Sequence, residues 1–132
     1  MRLQGEIEIK NVEKARTFIQ SYKNLLNCIP GIKDINGNRF IVENRIGFLK
    51  LEAEGEVLSF DFHEDGNKAV IRVKGVGVNS TITSVVRIVG DKLIYDVEYI
   101  AEITIPGISK IVDKVANEIT EKIVECTKNY VS

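Results

Sequence analysis

Residues 106 to 130 carry the pattern of one long amphipathic helix, and they follow a stretch, from about residue 32 to 103, patterned almost throughout as short strands. At 3.6 residues per turn, Ile108, Ile111, Val112, Val115, Ile119, Ile123, Cys126 and Tyr130 gather within about a third of the helix circumference. Lys110, Asp113, Lys114, Asn117, Glu121, Glu125 and Lys128 fill the other side, and only Val124 and Val131 fall outside the apolar stripe. With a rise of about 1.5 Å per residue, such a helix is roughly 37 Å long and crosses a whole small domain. Strands joined by tight turns make an antiparallel sheet, and twisted antiparallel sheets curl. A straight rod touches a concave surface along one ridge only. The pattern therefore predicts an α+β fold: a curved sheet gripping a long C-terminal helix, with room for a guest between them.

The chain of 132 residues is long enough for one domain with its own hydrophobic core. Hydrophobic residues make up 44% and charged residues 28%, which is globular rather than disordered composition. Acidic and basic residues, 19 and 18, are interspersed to a formal net charge of −1, with no basic block, so a nucleic-acid partner is not expected. The N-terminus alternates too strictly for a signal peptide, and no apolar run reaches the 18 or so residues of a membrane span. A soluble cytoplasmic protein is the expectation. Cys28 and Cys126 are read as two buried reduced thiols, with a single disulfide as the alternative.

Along the chain, Leu3, Gly5, Ile7 and Ile9 alternate with Arg2, Gln4, Glu6 and Glu8, a half-buried strand. Asn11 suits the cap of a helix from Val12, and Ser21 divides the following helical spacing into two short helices in series. Ile29-Pro30-Gly31 ends them, since proline disfavours helical geometry in its predecessor. Asn36-Gly37-Asn38 marks a hairpin between Ile32–Ile35 and Arg39–Glu43. From Leu49 the apolar set is Leu49, Leu51, Ala53, Gly55 and Val57; it then switches phase to Leu58, Phe60 and Phe62. One slipped residue moves every side chain to the other face, so a β-bulge or break is predicted there. Three more strands follow, Lys68–Val76, Ser80–Val89 and Lys92–Ile103, and Pro106 fits the first turn of the last helix.

Catalytic machinery is not legible. His63 is the single histidine, and Asp61, Glu64 and Asp65 beside it lie at a turn, where solvated charge is the simpler account than a cation site. Cys28 at an apolar helix end suits packing better than nucleophilic chemistry with His63. Gly75-Val76-Gly77 lacks the further glycine, or the Lys-Ser/Thr pair, of a phosphate loop and is read as a strand connection. Glu52, Glu54 and Glu56 share an outward face. Tyr95 and Tyr99 share the inward face of the last strand, and Tyr22 lies on the apolar face of the short helices. A buried tyrosine needs a partner for its hydroxyl, either within the core or on a ligand carbonyl such as a quinone's.

This order of elements, with the stretch Leu26-Asn27-Cys28-Ile29-Pro30-Gly31, resembles the carbon monoxide dehydrogenase G-subunit (CoxG-like) family of the START/SRPBCC helix-grip superfamily. Gly5, Ile7 and Ile9 match its initial G-x-(I/V)-x-(I/V) strand, Cys28 to Gly31 its Cys-Ile-Pro-Gly corner, Gly55 its glycine-bearing strand, and Gly75 and Gly77 its G-x-G turn. The resemblance implies a non-catalytic pocket for a small hydrophobic ligand, lipid or quinone-like, with no cofactor and no metal. It also implies a molybdenum-containing or other redox enzyme as partner, and peripheral membrane contact at most, because the chain stops at Ser132 where better-known members continue. The inward faces place Phe18, Tyr22, Leu26, Leu51, Phe60, Tyr95, Tyr99, Ile111, Val115 and Ile119 on the expected ligand wall. Two other classes share this architecture: a cyclase- or hydratase-type enzyme, which needs a polar constellation deep inside, and an interaction module with a filled core.

Overall fold

The structure is a computed structural model that describes residues 1–46 and 49–132; the side chains of Ile46, Leu49 and Leu51 also lie outside the description. Strand β1 (Arg2–Glu8) leads into helices α1 (Val12–Ile19) and α2 (Tyr22–Asn27). Strands β2 (Ile32–Asn36), β3 (Arg39–Ile46), β4 (Leu49–His63), β5 (Gly66–Gly75), β6 (Val78–Val89) and β7 (Lys92–Ile103) follow, and helix α3 (Ser109–Val131) closes the chain. All seven strands form one antiparallel sheet in the order β1-β7-β6-β5-β4-β3-β2.

Local chemistry sets the boundaries. The Asn11 side chain accepts from the Lys14 amide and starts α1; Ser21 accepts from the Lys23 amide and starts α2. The phase switch in β4 is a register shift between Val57 and Ser59, which carries Phe60 and Phe62 onto the inner face. Two close approaches need glycine. A side chain on Gly55 would collide with the Phe40 ring, and one on Gly5 with the Tyr95 hydroxyl. On the outer face the glutamates meet cations across strands: Lys33 with Glu43 and Glu52, and Arg72 with Glu56. Arg16 of α1 pairs with Glu64 and Asp65 at the β4–β5 turn. Asn67 donates to the Ile19 carbonyl at the end of α1.

Two expectations for the last helix are corrected. Helix α3 begins at Ser109, not Pro106, because Gly107 sits at φ 84°, outside helical geometry. Its buried stripe is also rotated. Thr120, Thr127 and Val131 are the buried residues, Val124 packs on the core, and Ile111 and Tyr130 are exposed. The threonine hydroxyls are satisfied on their own helix, Thr120 donating to the Ala116 carbonyl and Thr127 to that of Ile123, so both pack as small apolar residues.

The core is in two parts. One cluster joins Ile7, Ile9, Ala15, Phe18, Ile19, Cys28, Leu93 and Val131. The other joins Leu26, Phe40, Val42, Val57 and Ile71 beneath α2. Cys28 and Cys126 are not reduced thiols; they form a disulfide, with Cα atoms 5.6 Å apart across 98 residues. Cys28 caps α2 and Cys126 lies near the end of α3, so the bond fastens the short helices to the long one.

Closing so long a loop restricts the unfolded chain most, and reduction is expected to lower stability by about 2–4 kcal/mol. Thermal unfolding with and without reductant checks this, with Cys126→Ser insensitive to reductant. At the β1–β7 pair, Arg2 and Gln4 both donate to Asp96, which holds its carboxyl down at about 2. A depressed carboxylate contributes stability above its ordinary value of 3.8 and loses it as pH falls towards 2. Urea midpoints measured through that window are expected to fall in the parent chain and to fall less in Asp96→Asn.

Candidate functional site

The inner face of the sheet and α3 face each other along a seam that is closed at one end only. From Thr120 to Val131 the helix is sealed against β1, β7 and α1, where the Phe18 and Tyr130 rings pack with centroids 5.0 Å apart. N-terminal to Thr120 none of its described residues is buried: Val112, Val115, Ala116 and Ile119 are half-buried, and Ile111 is 55% exposed. Facing that half, Ala101 of β7 is exposed although it points inward, in step with Tyr99 and paired with Ser80. The open end is framed by the β5–β6 turn and the loop before α3. The Thr104 amide donates to the Gly77 carbonyl, and Ile105 occupies the space a Gly77 side chain would need. The rim is apolar, with Val76 89% exposed and Ile105 and Ile111 also in solvent.

Where the seam closes, the Tyr99 hydroxyl meets Thr120. Thr120 and the Ala116 carbonyl are 2.8 Å apart, and a carbonyl has no proton to give, so the threonine proton lies between them. Tyr99 must then donate to Thr120, and its proton is spent inside the protein. Burial raises the Tyr99 phenol above its ordinary value of 10.0.

Beside this pair a recess of about 250 Å³ opens between the β1 edge and α3, lined by Leu3, Gln4, Tyr95, Asn117, Thr120, Glu121 and Val124. It is smaller than the roughly 300–1,000 Å³ of drug-sized ligand pockets and holds a ring or head group rather than a whole lipid. A larger depression of about 440 Å³, edged by Glu6, Arg87 and Asp96, lies on the outer face of β1, β7 and β6. Only strand residues line it, and none from a helix. Its position against α3, beside the Tyr99–Thr120 contact, makes the smaller recess the candidate.

The expected wall residues divide. Tyr95 lines the recess, Tyr99 stands behind Thr120, and Val115 and Ile119 face the open half of the seam. Tyr22 and Phe60 meet edge to face at 5.7 Å on the other core cluster, where Leu26 is fully buried. Phe18 packs in the sealed end, Ile111 stands at the open rim, and the side chain of Leu51 lies outside the described residues. Thr120 is the site residue that sequence reasoning passed over. Its signal was the spacing of Thr120, Thr127 and Val131, which share one face a step away from the isoleucine stripe. Among the described residues no cluster of His, Cys, Asp or Glu is arranged to hold a metal ion, and no helix is long and apolar enough to cross a membrane.

Curved antiparallel sheet, two short helices and a gripped C-terminal helix define a START-like helix-grip protein. Over 99% of its length the chain superposes on a START superfamily protein from Mycobacterium smegmatis (TM-score 0.67, 12% identity, 95% of that chain). It matches likewise a conserved protein from Geobacillus kaustophilus (TM-score 0.65, 19% identity, 99% of this chain and 95% of that one). A third similar structure is a protein from Thermus thermophilus (TM-score 0.62, 17% identity, 99% and 95%). In sequence, residues 5–132 match the G-subunit of carbon monoxide dehydrogenase (CoxG), and the chain belongs to that family. Among curated proteins none matches it in sequence. Family and fold together point to a ligand-binding or carrier role.

The Tyr99–Thr120 closure has its own test. A raised phenol favours the folded state fully below pH 10 or so and loses that contribution as pH climbs through the folded value. Tyrosinate absorbance is expected to show a late phase on alkaline titration that Tyr99→Phe removes.

Proposed function

We propose that the protein is a non-catalytic carrier for a small hydrophobic molecule, lipid or quinone-like, which it takes in between α3 and the inner face of the sheet and delivers to a redox enzyme. The observation that carries this reading is the half-closed seam. A sealed C-terminal half fixes the helix, while Val115 and Ile119 present apolar surface to open space instead of to a core. The recess at Tyr95 and Thr120 takes a head group, and on the other flank of α3 Val115 and Ile119, with the rim at Val76, Ile105 and Ile111, offer apolar surface. Burial of apolar area drives such binding at roughly 25 cal/mol per Å² before ordering costs. The half-buried positions of α3 that face the sheet, Val112, Val115, Ala116 and Ile119, carry no ionisable group, which favours holding a ligand over acid–base work on it.

Membership of the CoxG family, described by its tie to carbon monoxide dehydrogenase, supports a molybdenum-containing or related oxidoreductase as the receiving partner. The apolar rim suits pick-up from a membrane surface by peripheral contact. The Cys28–Cys126 bond bears on where this happens. Such bonds persist in oxidising compartments and in the cytoplasm of organisms that keep intracellular disulfides, so a cytoplasmic site of action goes with a cell of the second kind.

Native mass spectrometry of protein purified without detergent, alone and after addition of quinones and fatty acids, tests the proposal. The expected result is a bound-mass species that Val115→Asp and Ile119→Asp abolish while the fold is retained. Protein that stays empty under all these conditions overturns the carrier reading.

A further inference from the structure

The two tyrosines that share the inner face of β7 differ in what their hydroxyls have left to offer. The proton of Tyr99 is committed to Thr120, whose own proton is committed to the Ala116 carbonyl, so this chain of hydroxyls ends in backbone and has no donor to spare. Tyr95 has no hydrogen-bond partner among the described residues, and it lines the recess beside α3. Its position is set from below. The Tyr95 hydroxyl lies in the notch that Gly5 leaves in β1, directly across the strand pair, where any side chain on Gly5 would strike it. Gly5 therefore fixes where the hydroxyl sits on β1, next to Leu3 and Gln4 of the same strand, which line the recess.

The other polar groups around the recess do not supply an equivalent donor. The Gln4 amide nitrogen is donated to Asp96, Glu121 is a carboxylate and accepts only, and the Asn117 carboxamide, which also lines the recess, is exposed to water that competes for its protons. We propose that Tyr95, seated by Gly5, is the residue that reads the ligand, by donating its hydroxyl proton to an acceptor oxygen (a ring carbonyl) on the molecule in the recess, and that Tyr99 acts only in holding α3 to the sheet. The proposal rests on the carrier reading and goes further, in selecting carbonyl-bearing ligands over hydrocarbon ones of the same shape and in assigning that selection to one of two similar side chains.

A matched pair of probes small enough for the recess, 1-tetralone and tetralin, separates these roles because they differ by one carbonyl. Affinities are measured by calorimetry for the parent chain, Tyr95→Phe and Tyr99→Phe, with thermal unfolding of each. The readout is the tetralone-to-tetralin affinity ratio, which cancels hydrophobic burial common to both. Losing one hydrogen bond in a sheltered site is expected to lower that ratio about tenfold in Tyr95→Phe, with unfolding temperature little changed. In Tyr99→Phe the ratio is expected to hold while the unfolding temperature drops. An unaltered ratio in Tyr95→Phe, or an equal fall in Tyr99→Phe, overturns the assignment and leaves hydrophobic binding standing. If neither probe binds the parent chain, the recess is not a ligand site and the assignment fails with it, whereas the mass-spectrometric result for quinones and fatty acids decides the carrier reading separately.

Discussion

A straight helix cannot follow a curved and twisted sheet along its whole length, and where this helix makes contact governs everything else in the molecule. Contact is concentrated in the Thr120–Val131 segment, packed on Ile7, Ile9 and Leu93 of the sheet and on Ala15, Phe18 and Ile19 of α1. The Cys28–Cys126 bond fixes the same segment to the end of α2. With one end of the rod anchored three ways, its other end projects past the inner face without needing to touch it. The space there follows from the anchoring and needs no separate device.

The division also explains why the core is split. Cluster one belongs to the anchored end, cluster two lies beneath α2 against β3, β4 and β5, and the short helices bridge them because α1 packs on the first and α2 on the second. A continuous core would fill the seam and leave the fold nothing to hold. Small and hydroxylated residues along the inner face, Ser80, Ser84, Ala101 and Thr120, keep the seam from filling, since their side chains are short and their hydroxyls tolerate either protein or ligand partners. Thr120 and Thr127 bring the helix close to the sheet for the same reason. A leucine at either position would hold the backbones further apart.

Much of this was legible in the chain. Alternation fixed which residues of β1, β4, β6 and β7 face inward, because a strand's period of two leaves no other choice once one face is apolar. The bulge at Val57–Ser59 showed as a change of phase, and Asn11 and Ser21 showed as caps. Tyr95, Val115 and Ile119 could be placed at the seam by the same reasoning. Less was legible on α3. Its apolar stripe is real, with Val115 and Ile119 in the open half and Ile123 and Cys126 packed in the anchored half, but there Thr120, Val124, Thr127 and Val131 join them, which a hydrophobicity pattern undervalues because threonine scores as polar until its hydroxyl is seen bonded to its own helix. The cysteines were misjudged because pairing depends on distance in space, and 98 residues of chain give no measure of it.

By itself the amino-acid order determined the elements, their inward faces and the architecture that must join them, since periodicity and turn chemistry are local and repeat many times over. Only the tertiary structure decided which stretch of the helix is sealed, which tyrosine keeps its proton and whether two distant thiols meet. Each of those depends on angles and separations between elements, to which no single segment of the chain holds the key.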